Sequence, residues 1–263
     1  GRYAGKCITS GINNVVIGYE AGCKVTTGTK NIIIGMETAR GAVTGNNNIL
    51  MGCQAAKALT SASNNVILGN VAGCTLTTSE ENVLIGTNAG AKLETAGHAN
   101  VFIGKQAGAN AVAACFSVAI GCGTLNSMVG TGCNIAFGRM AGQYLTTGTN
   151  NFFVGNYAAK WHRGDNNIAI GDQALFGNST CADNTGGGNI ALGAYAGHDI
   201  CSGTNNIMLG YQAGDSITSG DYNVAIGKGV DVASATGDKQ MIVGCGSSKW
   251  ICGDSSFNIY DKD

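Results

Sequence analysis

"NNVVIGYEAG", residues 13–22, returns almost unchanged as "NNIMLGYQAG" at residues 205–214. Between them stand "NNILMGCQAA", "NNVILGNVAG", "ENVLIGTNAG", "ANVFIGKQAG", "CNIAFGRMAG", "NNFFVGNYAA" and "GNIALGAYAG", and "YNVAIGKGV" follows. With the residue before the apolar run as position 1, the register runs Asn14, Asn31, Asn48, Asn65, Asn82, Asn100, Ser117, Asn134, Asn151, Asn167, Asn189, Asn206 and Asn223. Every step is 17 residues except three, of 18, 16 and 22 residues, which end at Asn100, Asn167 and Asn189. A Gly stands four places on, from Gly18 and Gly35 to Gly210 and Gly227, and a degenerate fourteenth copy ends at Gly244.

A fixed period across the whole chain is the mark of a repeat architecture, and 17 residues is too short for a helical hairpin unit. Positions 2–4 are β-branched runs bounded by Asn and Gly, such as Val15-Val16-Ile17, Ile32-Ile33-Ile34 and Val66-Ile67-Leu68, and read as strands. Positions 10–14 suggest a second, Thr-rich strand, as in Lys24-Val25-Thr26-Thr27 and Tyr144-Leu145-Thr146-Thr147. It carries an aliphatic residue near position 12: Val25, Leu59, Leu76, Leu93, Leu145, Ile200 and Ile217. Two short strands and two turns per unit predict an all-β fold, a parallel β-solenoid (β-roll) of about 14 coils on a 17-residue repeat. The repeat rod is expected over residues 1–236, and an irregular terminating segment over 237–263.

Composition narrows the class. There are 43 Gly and no Pro among 263 residues, and only 12% of residues are charged, about half the usual share. Low charge argues against disorder, and collagen is excluded because Gly is not every third residue and Pro is absent. A net charge of −1 leaves no basic footprint for nucleic acid. No run of 18 apolar residues predicts a membrane-spanning helix. The chain starts without Met and inside the repeat, so a fragment or processed product is expected.

Successive strand residues point to opposite faces. Position 12 is expected to point inward. In the first strand, positions 2 and 4 are always large and apolar and are expected to fill the coil. Position 3 then faces outward, and it reads Val16, Ile33, Leu50, Ile67, Leu84, Phe102, Ala119, Ala136, Phe153, Ala169, Ala191, Met208 and Ala225, with no polar residue. A strand apolar on both faces is buried on both faces. The stripe of position 3 is therefore expected to be an oligomer interface. Gly at position 5 suits a turn with φ > 0, small residues at position 8 (Ala21, Ala55, Ala72, Ala89, Ala107) suit a tight corner, and stacked Asn at position 1 suit a hydrogen-bonded ladder.

"SVAIG" at 117–121 and "NVAIG" at 223–227 resemble the repeat of trimeric autotransporter adhesin heads. The longer "NNxxIGYQAG" form resembles repeats of phage and large-virus tail fibres. The resemblance implies a homotrimer of β-rolls with the middle strand residue at the trimer axis. It also implies an extracellular or virion-surface location. The ending "GDKQMIVGCGSSKWICGDSSFNIYDKD", 237–263, is similar to the segment before the self-cleaving intramolecular chaperone of such fibres. The expected function is a fibre shaft, adhesin or receptor-binding region without catalysis, with a cell-surface glycan or receptor as partner. The alternative is a structural surface filament that polymerises end to end and binds no receptor.

Candidate chemistry is sparse. There are 11 Cys and no CxxC pair, which argues against a zinc site. Cys115 with Cys133 and Cys181 with Cys201 fall on adjacent coils, and Cys245 and Cys252 share the terminal segment; these are the disulfide candidates. "WHRGD" at 161–165 offers Trp161, His162 and Arg163 as a surface ligand cluster beside an Arg-Gly-Asp triplet. The tenth unit carries five extra residues around "GNSTCADNTGGG", 177–188, where Asn178-Ser179-Thr180 is a glycosylation sequon. Insertions in solenoids loop out on one face. The three His and the scattered Asp and Glu form no triad or ligand set, so neither catalytic residues, a metal nor a cofactor is expected.

Overall fold

A computed structural model describes residues 1–94, 97–130, 132–181, 184–256 and 258–261. Residues 182 and 183 of the inserted segment and 257, 262 and 263 of the terminal segment lie outside the described residues. The protein is an all-β parallel solenoid of about 13 turns, and no helix occurs among the described residues. It divides into two compact units, Gly1–Cys133 and Asn134–Asp263. The first holds β1 (Val15–Ile17), β2 (Ile32–Ile34), β3 (Ile49–Met51), β4 (Val66–Leu68), β5 (Val83–Ile85), β6 (Val101–Ile103) and β7 (Val118–Ile120). The second holds β8 (Ile135–Phe137), β9 (Phe152–Val154), β10 (Ile168–Ile170), β11 (Ile190–Leu192), β12 (Ile207–Leu209), β13 (Val224–Ile226), β14 (Met241–Cys245), β15 (Ser248–Gly253) and β16 (Ile259–Asp261).

Within each unit the three-residue strands pair in parallel with equal repeat positions aligned, as Val66 with Val83 and Ile168 with Ile190. That second pairing spans the 22-residue step, so the extra residues leave the strand register undisturbed. Among its described residues the terminal stretch carries three strands. β14 continues the parallel ladder beside β13, then turns through Gly246-Ser247 into antiparallel β15 and β16. A two-residue hairpin loop with φ of 54° at Gly246 explains the reversal.

The faces of the strand are the reverse of the sequence expectation. Ile33, Leu50, Ile67, Leu84, Phe102, Phe153 and Met208 are all 0% exposed within the single chain, and Val16 in the first coil is half-buried. Position 3 therefore fills the coil instead of facing a partner. The reason is period-two alternation combined with the Asn at position 1. Asn31, Asn48, Asn65 and Asn82 are completely buried, and residues 1 and 3 share a face. The backbone N–H of Asn31 donates to Asn14 Oδ1 at 2.9 Å, that of Asn48 to Asn31 Oδ1 at 2.9 Å, and that of Asn65 to Asn48 Oδ1 at 3.1 Å. Each Nδ2 also donates to a carbonyl across the coil, such as Asn31 to Gly45 at 2.9 Å and Asn48 to Ala62 at 2.9 Å. A buried amide with its donors and acceptor matched avoids the desolvation penalty of an unpaired polar group.

The doublet "NN" now has a division of labour. The first Asn sits outside in the left-handed region, with φ of 59° at Asn13, 60° at Asn47 and 61° at Asn64, which Asn tolerates better than most residues. The second Asn turns inward to the ladder. Further left-handed residues follow at positions 7 and 9, as Glu20 (φ 53°) and Gly22 (φ 49°). They bend the chain back over the strand. A Cβ on Gly22 would come 3.0 Å from Val25 and 3.1 Å from Ile33, so this corner packs directly on position 3.

The Thr-rich segment does not form the second strand. Position 12 does point inward, and Val25, Leu59, Leu76, Leu93, Leu145, Ile200 and Ile217 are 0% exposed. Its N–H, however, closes a turn inside its own coil: Val25 to Gly22 O at 3.0 Å, Leu76 to Gly73 O at 3.0 Å, Leu145 to Gly142 O at 3.0 Å. That leaves bonds such as Thr26 N to Val43 O at 3.1 Å and Thr60 N to Thr77 O at 2.9 Å to tie neighbouring coils, too few for a strand ladder.

Position 5 accepts only Gly. Gly69 has φ of 141°, and a Cβ there would overlap the carbonyl of Gly86 in the next coil. Gly69→Ala is expected to cost about 2 kcal/mol from backbone strain and displaced stacking. Chemical denaturation should show this loss, while Gly246→Ala, whose Cβ meets nothing within 4 Å, should cost about 1 kcal/mol for the left-handed backbone alone.

Candidate functional site

Because position 3 points inward, positions 2 and 4 point out. They remain apolar in every coil, as Val15 and Ile17, Ile49 and Met51, Ile135 and Phe137, Ile168 and Ile170. Ile49 is 37% exposed, Met51 39%, Ile135 36% and Phe137 36%. The outer face of the sheet thus carries two parallel columns of aliphatic and aromatic side chains in each unit. At roughly 10 Å across and ~4.8 Å per coil, the seven strands of the first unit present about 340 Å², comparable to the largest apolar patch on ordinary monomers. The outward apolar stripe therefore consists of positions 2 and 4 and not of position 3.

A second surface lies at positions 6, 7, 10 and 11. In the first unit it is charged: Arg40 bridges Glu20 at 2.9 Å and Glu37 at 3.4 Å, and Lys57 meets Glu37 at 3.6 Å. Gln54 donates to Glu37 at 2.9 Å, and this bond is the largest influence holding the Glu37 carboxyl below its ordinary range. In the second unit the same positions are aromatic. Tyr144 and Trp161, both at position 11 of adjacent coils, stack with centroids 4.0 Å apart. Phe176 and His198, both at position 10, stack at 5.0 Å. The coil spacing of ~4.8 Å places equivalent rings near stacking distance. The Lys160 ammonium lies 5.1 Å from the Tyr157 and Trp161 centroids and 5.7 Å from that of Phe176, and Arg139 lies 5.0 Å over Tyr157.

The cluster expected from "WHRGD" does not form one surface. Trp161 belongs to the aromatic strip and is half-buried. Arg163 is half-buried, with its backbone N–H donating to Asn184 O at 2.6 Å and its Nε buried without a partner. His162 is 0% exposed and cannot meet a ligand at the surface. The physical reason is its position, since His162 is the twelfth residue counted from Asn151 and occupies the inward slot that Leu145 fills one coil earlier. Its Nε2 donates to Gly186 O at 2.6 Å, which leaves Nδ1 as a buried acceptor with no hydrogen bond among the described residues. Burial, opposed only partly by the bonds to Gly186 and Asn167, lowers its pKa from 6.5 to about 4. Asp165 of the Arg-Gly-Asp triplet caps the neighbouring coil, accepting from Thr149 N at 2.7 Å.

The tenth coil's inserted segment is pinned at three places. Cys181 is joined to Cys201, with Cα atoms 6.2 Å apart. Asn184 is 1% exposed and donates to Asn178 O at 2.7 Å and Cys181 O at 3.3 Å. Gly186 O accepts from both His162 and Asn167. The other two cysteine pairings are not formed. Cys133 carries a free thiol although its N–H bonds Cys115 O at 3.1 Å, because the two residues sit one repeat position apart. Cys245 and Cys252 are free because the hairpin register sets Cys245 opposite Ser248 and Cys252 opposite Ile242.

Beyond the aromatic strip, Asp215 is pushed up to about 6, first by burial and then by Asp231 and Asp199 on the neighbouring coils, with His198 opposing. Among the described residues no group of three or more His, Cys, Asp or Glu is placed to hold a metal ion. No protein-family model matches the chain, and comparison with curated proteins and with solved structures finds no match.

Proposed function

We propose that this protein is a structural segment of an extracellular or virion-surface fibre, a homotrimer without catalysis or cofactor that presents its outer surface to a cell-surface glycan or receptor. The observation that supports this reading is the pair of outward apolar columns at positions 2 and 4. Side chains such as Ile49, Met51, Ile135 and Phe137 are more than a third exposed in the single chain. A parallel sheet face of this composition is ordinarily covered, and burying each aliphatic side chain contributes roughly 1.5–3 kcal/mol. Among the described residues these columns stay partly open to water in every coil. Three copies meeting along these columns would remove the face from water. Every coil repeats the same two columns at the same spacing, so the contact extends coil by coil. The resemblance of "NNxxIGYQAG" and "NVAIG" to fibre repeats supports three as the number of copies.

Sedimentation equilibrium of the purified chain, beside an Ile49→Asp, Ile135→Asp chain, tests this reading. The unmodified chain is expected at three times the chain mass. The double variant should sediment as a folded monomer with the same β-type circular dichroism, because both residues are already partly in water. A wild-type chain that is monomeric at micromolar concentration would remove the reading's support. A polydisperse polymer instead of a finite trimer would favour an end-to-end filament.

A further inference from the structure

Of the 27 Asn in the chain, only Asn178 is followed two residues later by Ser or Thr. For the ladder Asn the repeat gives the reason, since each precedes an apolar strand. The single sequon therefore lies in the one long insertion, the element that the stacking requirement does not dictate. Asn178, Ser179 and Thr180 are all exposed. The Thr180 hydroxyl donates to Asn178 Oδ1 at 2.8 Å, and the Thr180 N–H donates to the same oxygen at 3.0 Å. Both contacts are made to the amide oxygen, and among the described residues no hydrogen bond engages Asn178 Nδ2. The amide nitrogen thus lies on an exposed residue, while its oxygen is held by the third residue of the sequon.

The segment's anchoring points to the same compartment. Cys181, the next residue, is joined to Cys201. Disulfides persist in oxidising spaces outside the cytosol, where N-glycosylation of Asn-x-Ser/Thr also takes place. Asn184 closes the segment on itself through Asn178 O, and Gly186 ties its far end to the core through His162. Asn178 therefore lies at the exposed side of a segment anchored through Cys181, Asn184 and Gly186.

From these observations we infer that Asn178 is an N-glycosylation site, a reading that rests on the extracellular location proposed above. The donor is a lipid-pyrophosphate-linked oligosaccharide. Asn178 Nδ2 attacks the anomeric carbon and a C–N bond forms. The C–O bond to pyrophosphate breaks, the lipid pyrophosphate leaves, and the amide proton passes to a base of the transferase. No electron transfer is involved. The preceding residue, Gly177, donates its N–H to His198 O at 3.0 Å, and a Cβ on it would lie 3.3 Å from Trp161 Cβ. The glycan consequently emerges beside the aromatic strip.

The test is the intact mass and peptide map of the full chain secreted from a eukaryotic cell line, with Thr180→Ala and Ser179→Ala chains in parallel. The expected result is one glycan on the peptide containing Asn178 in the wild type and in Ser179→Ala, which keeps the sequon, and none in Thr180→Ala. Enzymatic removal of the glycan should leave Asp at 178. A secreted, folded chain with Cys181 and Cys201 joined but Asn178 unmodified would overturn the inference. That outcome is separable from failure of the fibre reading, because the sedimentation mass reads the outward columns and is independent of Thr180.

Discussion

An Ile67→Asp chain should fail to accumulate as a folded protein, although one residue further along Leu68→Asp should fold. Ile67 is 0% exposed and lies in the middle of β4, where neighbouring coils place Leu50 and Leu84. Removing the aliphatic side chain alone costs about 2–5 kcal/mol. The carboxyl that replaces it must be buried, and burial raises a carboxyl pKa by up to 3–5 units, each worth about 1.4 kcal/mol at neutral pH. The sum, about 5 kcal/mol or more, is comparable to the whole stability of a typical domain. Leu68 points to the other side of the strand and is only half-buried, so Asp there can hydrate and should affect association alone. Soluble yield, circular dichroism and denaturant midpoints of the two variants decide the matter. Equal folding of both would mean that position 3 is not the inward face.

The second large effect is on acid stability, and it belongs to His162. In the folded chain its pKa is about 4 against an ordinary 6.5, because the imidazole is buried without a charge partner. The native state thus holds it neutral, while the unfolded chain takes up a proton below pH 6.5. The stabilising contribution of a depressed folded pKa is complete above the unfolded value. It is lost as pH falls from about 6.5 through about 4, and is constant below. The total is about 3 kcal/mol. His162→Leu restores the residue type of Leu59, Leu76, Leu93 and Leu145 at the same repeat position. It also removes a buried acceptor that has no partner, while Gly186 O keeps its 3.1 Å bond from Asn167. The variant should be at least as stable as wild type at pH 7 and more stable by about 3 kcal/mol at pH 4. Thermal melts at the two pH values provide the check, and parallel loss of stability in both chains would show that His162 is not the acid-sensitive group.

These two residues also show how far the sequence could be read. The period, the strand at positions 2–4, the inward aliphatic at position 12 and the parallel stacking are all legible from spacing, because a solenoid must repeat its chemistry wherever it repeats its geometry. The inward placement of His162 was equally available. Counting twelve from Asn151 lands on it, but its polar character and the neighbouring Trp161 and Arg163 suggested a surface. The direction of the strand differs from the sequence expectation for a related reason. Positions 2 and 4 carry the bulkier residues, and size alone argued that they fill the coil, whereas the Asn at position 1 shares its face with position 3.

By itself, the sequence determined that this chain is a 17-residue β-repeat, that Asn and Gly stand at its corners, and that one side of its strand is apolar toward the outside. Those properties follow from local chemistry: Gly where a Cβ would strike the next coil, Asn where a left-handed bend or a buried amide is needed, and β-branched residues between. Only the tertiary structure decided which side of the strand is inside, because an Asn counts as core only when the next coil supplies its partner, as Asn31 does for Asn48. The same dependence on neighbours explains the Thr-rich segment, whose position-12 N–H closes a turn instead of joining a sheet. It also explains the aromatic strip, in which Tyr144, Trp161, Phe176 and His198 meet through the spacing between coils and not through nearness in sequence.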